Sequence, residues 1–207
     1  MSSAHTVSII PLDKVMNMDI FIDVSKVYII TERLILRPWL TSDLDDFYEY
    51  ASVPGVGEMA GWPHHRFKRT TRQVLQLFIE GKNVFAMELI ENNKVIGSIG
   101  FHTSWANEDP DYQHLKVKDI GYTLSKDYWG QGLTPEAAKA LIDWTFTNVD
   151  IDALTVCHFL DNHQSQRVIE KCGFTFVKEG TYNARQLNKV MDDAKYIMLR
   201  SELRDKI

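Results

Sequence analysis

Hydrophobic and polar positions change period several times along this chain. YIITERLILR, from Tyr28 to Arg37, alternates in its second half, with Leu34 and Leu36 on one face and Ile35 on the other, and predicts a strand. Leu44, Phe47, Tyr48 and Ala51 then recur at helical spacing behind Thr41 or Ser42 as cap, and Pro54-Gly55 ends the region. After a loop of Gly61, Trp62, Pro63, His64 and His65, a second helix is expected from about Thr71 to Glu80, stopped by Gly81. Strands follow at Val84 to Ile90 and Val95 to Phe101, separated by the hairpin residues Glu91-Asn92-Asn93-Lys94. A polar loop, Thr103 to Gln113, leads to a fourth strand at Val117 to Leu124. The next helix has Ala137, Ala140, Leu141, Trp144 and Phe146 as its inner face. A strand at Ala153 to Phe159, a helix from Asn162 to Lys171 stopped by Gly173, and strands near Phe174 to Lys178 and Lys195 to Arg200 finish the pattern. The order β-α-α-β-β-β-α-β-α-β-β implies an α/β fold with a mixed, mostly antiparallel sheet and helices on both faces.

At 207 residues and 44% hydrophobic, the chain suits one domain, drawn here as 28–207, behind an extension of residues 1–27. Apolar patches in the extension, Val7 to Ile10 and Ile20 to Ile22, suit packing on the domain or on a second subunit, which leaves a homodimer open; Met16 and Met18 leave open a later start. The formal charge of −5, with Lys and Arg scattered, argues against a broad nucleic-acid face. Cys157 and Cys172 read as buried thiols rather than a disulfide, and His114, His158 and His163 make no ligand spacing with them, so no metal is expected. No segment is apolar for long enough to cross a bilayer, and Asp19 and Asp23 break up the amino-terminal apolar residues. No membrane partner is expected, and the cytoplasm is the expected location.

The densest chemistry lies in YWGQGLTPEA, Tyr128 to Ala137, where a strand passes into a helix through two glycines. A helix start presents unpaired N–H groups and partial positive charge, so Gly130, Gln131, Gly132, Leu133 and Thr134 read as a cradle for a phosphorylated ligand. Thr134 is the expected N-cap and Pro135 the first helical residue. The Walker lysine pattern is absent, and no G-x-G-x-x-G follows an early strand. A second block, NHQSQRVIEKCGF from Asn162 to Phe174, lies immediately downstream.

Together with TERLILRPW (Thr31 to Trp39), VIGSIGFH (Val95 to His102) and DIGYTLSKDYWGQGLTPEA (Asp119 to Ala137), these blocks resemble the GCN5-related N-acetyltransferase (GNAT) superfamily. The likeness, from about Tyr28 to Glu202, is to its ribosomal-protein-alanine N-acetyltransferase-like (RimJ/RimL-like) branch. The superfamily's cofactor turn falls on Trp129, Gly132 and Thr134, with Thr134 a departure in the last place. The resemblance implies acetyl-CoA as cofactor and CoA as product. The diphosphate would rest on the turn, the pantetheine arm beside Tyr122, Thr123 and Leu124, and the thioester where the fourth and fifth strands splay. Asn162 would contact the arm. Direct attack by a primary amine in a ternary complex would follow, on a protein amino terminus or a small molecule. A CoA-binding module without catalysis is the alternative.

Acyl transfer needs a neutral amine, a polarised carbonyl and a proton for the thiolate. Ser165, one turn after Asn162, matches the branch's proposed acid, and Tyr196 and Tyr122 compete as proton donors. The branch's glutamate place aligns with Arg185 to Asn188, which holds no glutamate. Asp119, at the start of the cofactor strand, is the first candidate base, because the resemblance implies a carboxylate on this strand, where many superfamily members carry one. Glu58, Trp62, His65 and His102 are candidate walls of the amine pocket, as is the loop from Trp105 to Tyr112.

Overall fold

The computed structural model describes residues 19–204. The patch Val7 to Ile10 and the alternative starts Met16 and Met18 lie outside that range. Eight strands form a single sheet: β1 (Ile29–Ile30), β2 (Leu34–Pro38), β3 (Val84–Leu89), β4 (Val95–His102), β5 (Val117–Leu124), β6 (Ala153–Phe159), β7 (Thr175–Ala184) and β8 (Lys189–Leu199). The helices are α1 (Leu44–Ala51), α2 (Lys68–Gly81), α3 (Leu133–Asn148), α4 (His163–Cys172) and α5 (Arg200–Arg204). Spatial order is β1-β2-β3-β4-β5-β6-β8-β7, antiparallel throughout except for β5 against β6. The expected mixed, mostly antiparallel α/β sheet is what forms.

Alternation along the strands divides the core by face. Val84, Ala86 and Val95 pack with Phe47, Tyr50 and Leu75 of α1 and α2. Phe85, Met87, Ile96, Ile120 and Leu124 pack with Leu133, Ala137 and Leu141 of α3. Ile22 and Val24, placed in the extension by sequence, bury in this second cluster, and the Val24 N–H donates to Lys82 O at 2.8 Å.

Several boundaries differ from expectation. The single opening strand is two, because the chain folds back and pairs Ile29 with Leu36; strand numbers therefore run one ahead of the sequence count. The second helix starts at Lys68, and its left-handed cap is Lys82 (φ +52) rather than Gly81. The inner face of α3 is Ala137, Ala138, Leu141, Ile142 and Thr145, with Ala140, Trp144 and Phe146 only half-buried. β7 and β8 extend well past Lys178 and back to Lys189, forming an exposed two-stranded arm whose side chains carry little hydrophobic signal.

Candidate active site

β5 ends at Leu124, a 3-10 turn at Lys126–Tyr128 follows, and α3 begins at Leu133. Gly130 and Gly132 have φ +77° and +78°, which side chains adopt only with strain. Gly132 is the N-cap, so Thr134 and Pro135 lie inside the first turn; this corrects the expected cap at Thr134. Pro135 is tolerated there because its missing N–H is still one of the helix's unpaired donors. The first helix-closing bond is Glu136 N–H to Gly132 O at 3.2 Å, and among the described residues no acceptor meets the N–H groups of residues 130–134. A Cβ built on Gly130 meets nothing within 4 Å, so the turn opens outward.

Sequence reasoning missed what holds this turn. The Arg33 guanidinium donates to Gln131 O at 2.9 Å and to Glu136 Oε2 at 2.7 Å. Glu136 Oε1 accepts from Thr31 Oγ1 at 2.6 Å and from the Arg33 N–H at 2.9 Å. Trp129 Nε1 donates to Leu124 O at 2.9 Å, fixing the other end.

β5 and β6 pair only from Val117–Ala153 to Asp119–Thr155. From Ile120 to Leu124 the β6 side of β5 has no strand partner, and a wedge opens from Asp119 outward. A cavity of about 950 Å³ fills that wedge and reaches both faces of the sheet. Tyr122, Thr123, Leu124, Trp129, Gly130, Gly132, Leu133, Thr134, Asn162 and Ser165 line it, as do Trp62, His65, His102 and Asp119.

On the α3–α4 face, Tyr122 Oη and Ser165 Oγ are 2.8 Å apart. Burial pushes the Tyr122 phenol well above its ordinary pKa, so it remains a proton-bearing hydroxyl. Asn162 caps α4, its Oδ1 accepting from the Ser165 N–H at 3.1 Å while Nδ2 donates to Met59 O at 3.3 Å. Tyr196 lies on this face too, in the cluster that Tyr122 packs against, but stays behind the cavity wall. It packs against Ile169 and Val156 with its hydroxyl 3.3 Å from His158 Nε2, and it does not line the cavity.

On the α1–α2 face stands Asp119, whose Oδ1 accepts from Thr155 Oγ1 at 2.6 Å. Burial raises its pKa to about 7, the Thr155 hydrogen bond opposes that rise, and the charge of Asp193 adds to it. Asp193 and Lys195 alternate onto the same face of β8, with Nζ 3.8 Å from Asp193 Oδ1. Asp193 is 1% exposed and its own pKa is raised by burial. His102, opposite Asp119 on β4, lays its ring across Gly121, where a Cβ would come within 2.7 Å of it. The ring opens on the cavity, yet desolvation by the surrounding protein, then Lys118, lowers its pKa. Asp193 and Lys195 escape sequence reasoning because the expected last strand starts at Lys195, which hides their shared face.

The loop between α1 and α2 roofs this side. Gly61 lies where a Cβ would be 3.1 Å from the Tyr182 ring of the β7–β8 arm. His65 is buried, pairs Nδ1 with Thr71 Oγ1 at 2.9 Å and has its pKa lowered by burial, then by His64. Glu58, expected as a pocket wall, does not line the cavity. Its carboxylate accepts from the N–H groups of Gly55 at 2.6 Å and His64 at 3.1 Å, and from His64 Nδ1 at 2.8 Å. Burial works to raise its pKa, but these bonds outweigh it and hold the group at about 2. Glu58 shapes the loop.

A wedge between parallel strands with a free-amide turn at its end invites comparison with known proteins. The profile of the Acetyltransferase (GNAT) domain family matches residues 33–175. The chain belongs to the GNAT acetyltransferases. This GNAT enzyme is 29% identical over 155 residues to the uncharacterized N-acetyltransferase p20 of Bacillus licheniformis, covering 72% of this chain and 82% of the relative. Among solved structures, a GNAT-family acetyltransferase from Bacillus anthracis superposes with a TM-score of 0.71 at 24% identity, over 84% of this chain and 99% of that one. The ribosomal-protein-S5-alanine acetyltransferase of Vibrio fischeri shares the fold with a TM-score of 0.63 at 18% identity, over 86% and 98% of the two chains. Among the described residues, no helix is long and apolar enough to cross a membrane.

Proposed function

We propose that this GNAT enzyme moves the acetyl group of acetyl-CoA to a primary amine by direct attack in a ternary complex. One observation carries the reading: a carboxylate with a pKa of about 7 and a hydrogen-bonded hydroxyl pair lie on opposite faces of β5, at the point where β5 and β6 part. The donor set fits coenzyme A, since the open amides of residues 130–134 suit a diphosphate and the unpaired edge of β5 suits the amides of the pantetheine arm. When bound, acetyl-CoA supplies an activated thioester carbonyl.

The chain's own residues then divide the work by face. Asp119, which loses its proton around neutral pH, takes in its ionised form the proton of the incoming ammonium group or of the attacking nitrogen. A backbone N–H on the free edge of β5 near Thr123 or Leu124 meets the developing oxyanion. The Tyr122–Ser165 pair gives a proton to the departing thiolate, with Ser165 as the donor and Tyr122 as its partner. Neither cysteine is needed: burial raises the pKa of both the Cys157 and the Cys172 thiol, Cys172 to about 11.

Calorimetry with CoA and acetyl-CoA, joined to a free-thiol release assay over a panel of amines and amino-terminal peptides, tests this. Tight binding and amine-dependent thiol release are expected. Binding with no release on any acceptor would leave a CoA-binding module, and no binding would remove the reading altogether.

A further inference from the structure

We propose that Thr155 is a positioning residue for Asp119, orienting its carboxylate at the apex of the wedge through a hydroxyl chain that begins on the loop after β4. The proposal rests on the reading of Asp119 as the base. Thr155 is fully buried and stands opposite Asp119 in the last β5–β6 pair before the strands part. Its Oγ1 lies 2.6 Å from Asp119 Oδ1 and 2.8 Å from Ser104 Oγ. Ser104, 3% exposed, accepts from the Ala106 N–H at 3.0 Å.

The protons in this chain have one consistent direction when Asp119 is ionised. The Ala106 N–H can only donate, so Ser104 Oγ accepts it. Ser104 spends its single proton on Thr155, and Thr155 spends its own on Asp119. The alternative acceptor for Thr155, Lys118 O, is 3.4 Å away. The Thr155 hydroxyl binds the charged carboxylate more strongly than the neutral acid, so the chain favours the ionised form against the burial that opposes it. The other titratable groups around Asp119 are His102 of β4, Cys157 of β6, Tyr182 of β7, and Asp193 and Lys195 of β8, with Tyr122 coupled to it from the opposite face of β5. Thr155 supplies the direct hydrogen bond. Ser104 also opens the 3-10 turn of Trp105–Glu108, and both Trp105 and Glu108 line the cavity. The loop that walls the acceptor side is thus tied to the orientation of the base.

The test is a carbon-13 NMR titration of aspartate carboxyls in the protein without acyl donor, with Asp119 identified by the signal lost in Asp119→Asn. In Thr155→Val, the Asp119 midpoint should rise by about one pH unit or more. Thr155→Ser should restore it, and Ser104→Ala, which leaves Thr155 in place, should raise it by less. The acid limb of the turnover profile should follow the midpoint. A purely structural threonine would lower the melting temperature and leave the midpoint where it was; that outcome overturns the proposal. A midpoint that moves without the turnover limb refutes Asp119 as base and, with it, the catalytic meaning of the chain. Should Thr155→Val not fold, Ser104→Ala decides in the same way.

Discussion

Alanine at Gly130, set beside alanine at Gly173, separates what the turn does for the ligand from what it does for the backbone. The two glycines have φ +77° and +83°, and a Cβ on either meets nothing within 4 Å. Each replacement therefore carries the same left-handed strain, about 1–2 kcal/mol, partly offset by the lower entropy of the unfolded chain. For a chain of this size that is a fall of roughly 2–4 °C per kcal/mol in melting temperature, equal in the two variants. Only Gly130 lines the cavity. Its new methyl would stand before the free amides of residues 130–134 and displace at least one charge-assisted N–H to phosphate bond. Such a bond contributes about 1.5–3 kcal/mol, so CoA should bind about 10- to 150-fold more weakly to Gly130→Ala. Gly173→Ala, at the cap of α4, should bind it as the parent does. Titration calorimetry with CoA and thermal melts supply both numbers. Equal affinities in the two variants, despite equal loss of stability, would show that the diphosphate is not held by these amides.

Three further outcomes are expected. Glu136→Gln removes the ion pair with Arg33, whose side chains are 43% and 18% exposed, so solvent limits the loss to about 1 kcal/mol while the loosened turn weakens CoA binding. Burial acts to raise the Glu136 pKa, but Thr31 and Arg33 lower it overall; its stabilisation is present above the unfolded carboxylate range and lost on acidification, so melts of parent and variant should converge below about pH 4. Tyr122→Phe and Ser165→Ala should each lower kcat with little change in the KM for acetyl-CoA, and the double variant should be no worse than the poorer single one, since either change breaks the same bond. Asp119→Asn should be more stable than the parent at pH 8: the folded state keeps this proton up to about pH 7, whereas the unfolded chain releases it near 3.9, so parental stability declines across that window and the gap in melting temperature opens through it.

Local chemistry made the succession of elements along the chain, the glycine turn and the α4 block readable in advance, because apolar period and turn-forming glycines are properties of short segments. What escaped was set by pairing across the chain. Arg33 stands outside the turn in sequence, and only the packing of β2 against α3 brings it to Gln131 and Glu136. Thr155 is an ordinary strand residue until register places it opposite Asp119. Tyr196 fails as a proton donor for a related reason: it shares the cluster that Tyr122 packs against, but its hydroxyl meets His158 and it does not line the cavity. The cap lies at Gly132 rather than the expected Thr134 because Gly132 can take the left-handed conformation one residue before Leu133, and proline does not forbid it.

The choice between Asp119 and Glu58 as proton acceptor follows from how the same fold treats two carboxyls near one cavity. Glu58 receives three hydrogen bonds from its own loop and is held at about 2, so near neutral pH it is permanently charged, with its lone pairs engaged. Asp119 receives one such bond, stands beside a second buried carboxyl and is raised to about 7. A group can cycle a proton during turnover only if both of its forms are accessible at working pH and one oxygen is free to meet the substrate. Glu58 fails on both counts. Asp119 meets the first through burial at the wedge apex, and the second because Thr155 occupies Oδ1 and leaves the other oxygen without a bond from that residue.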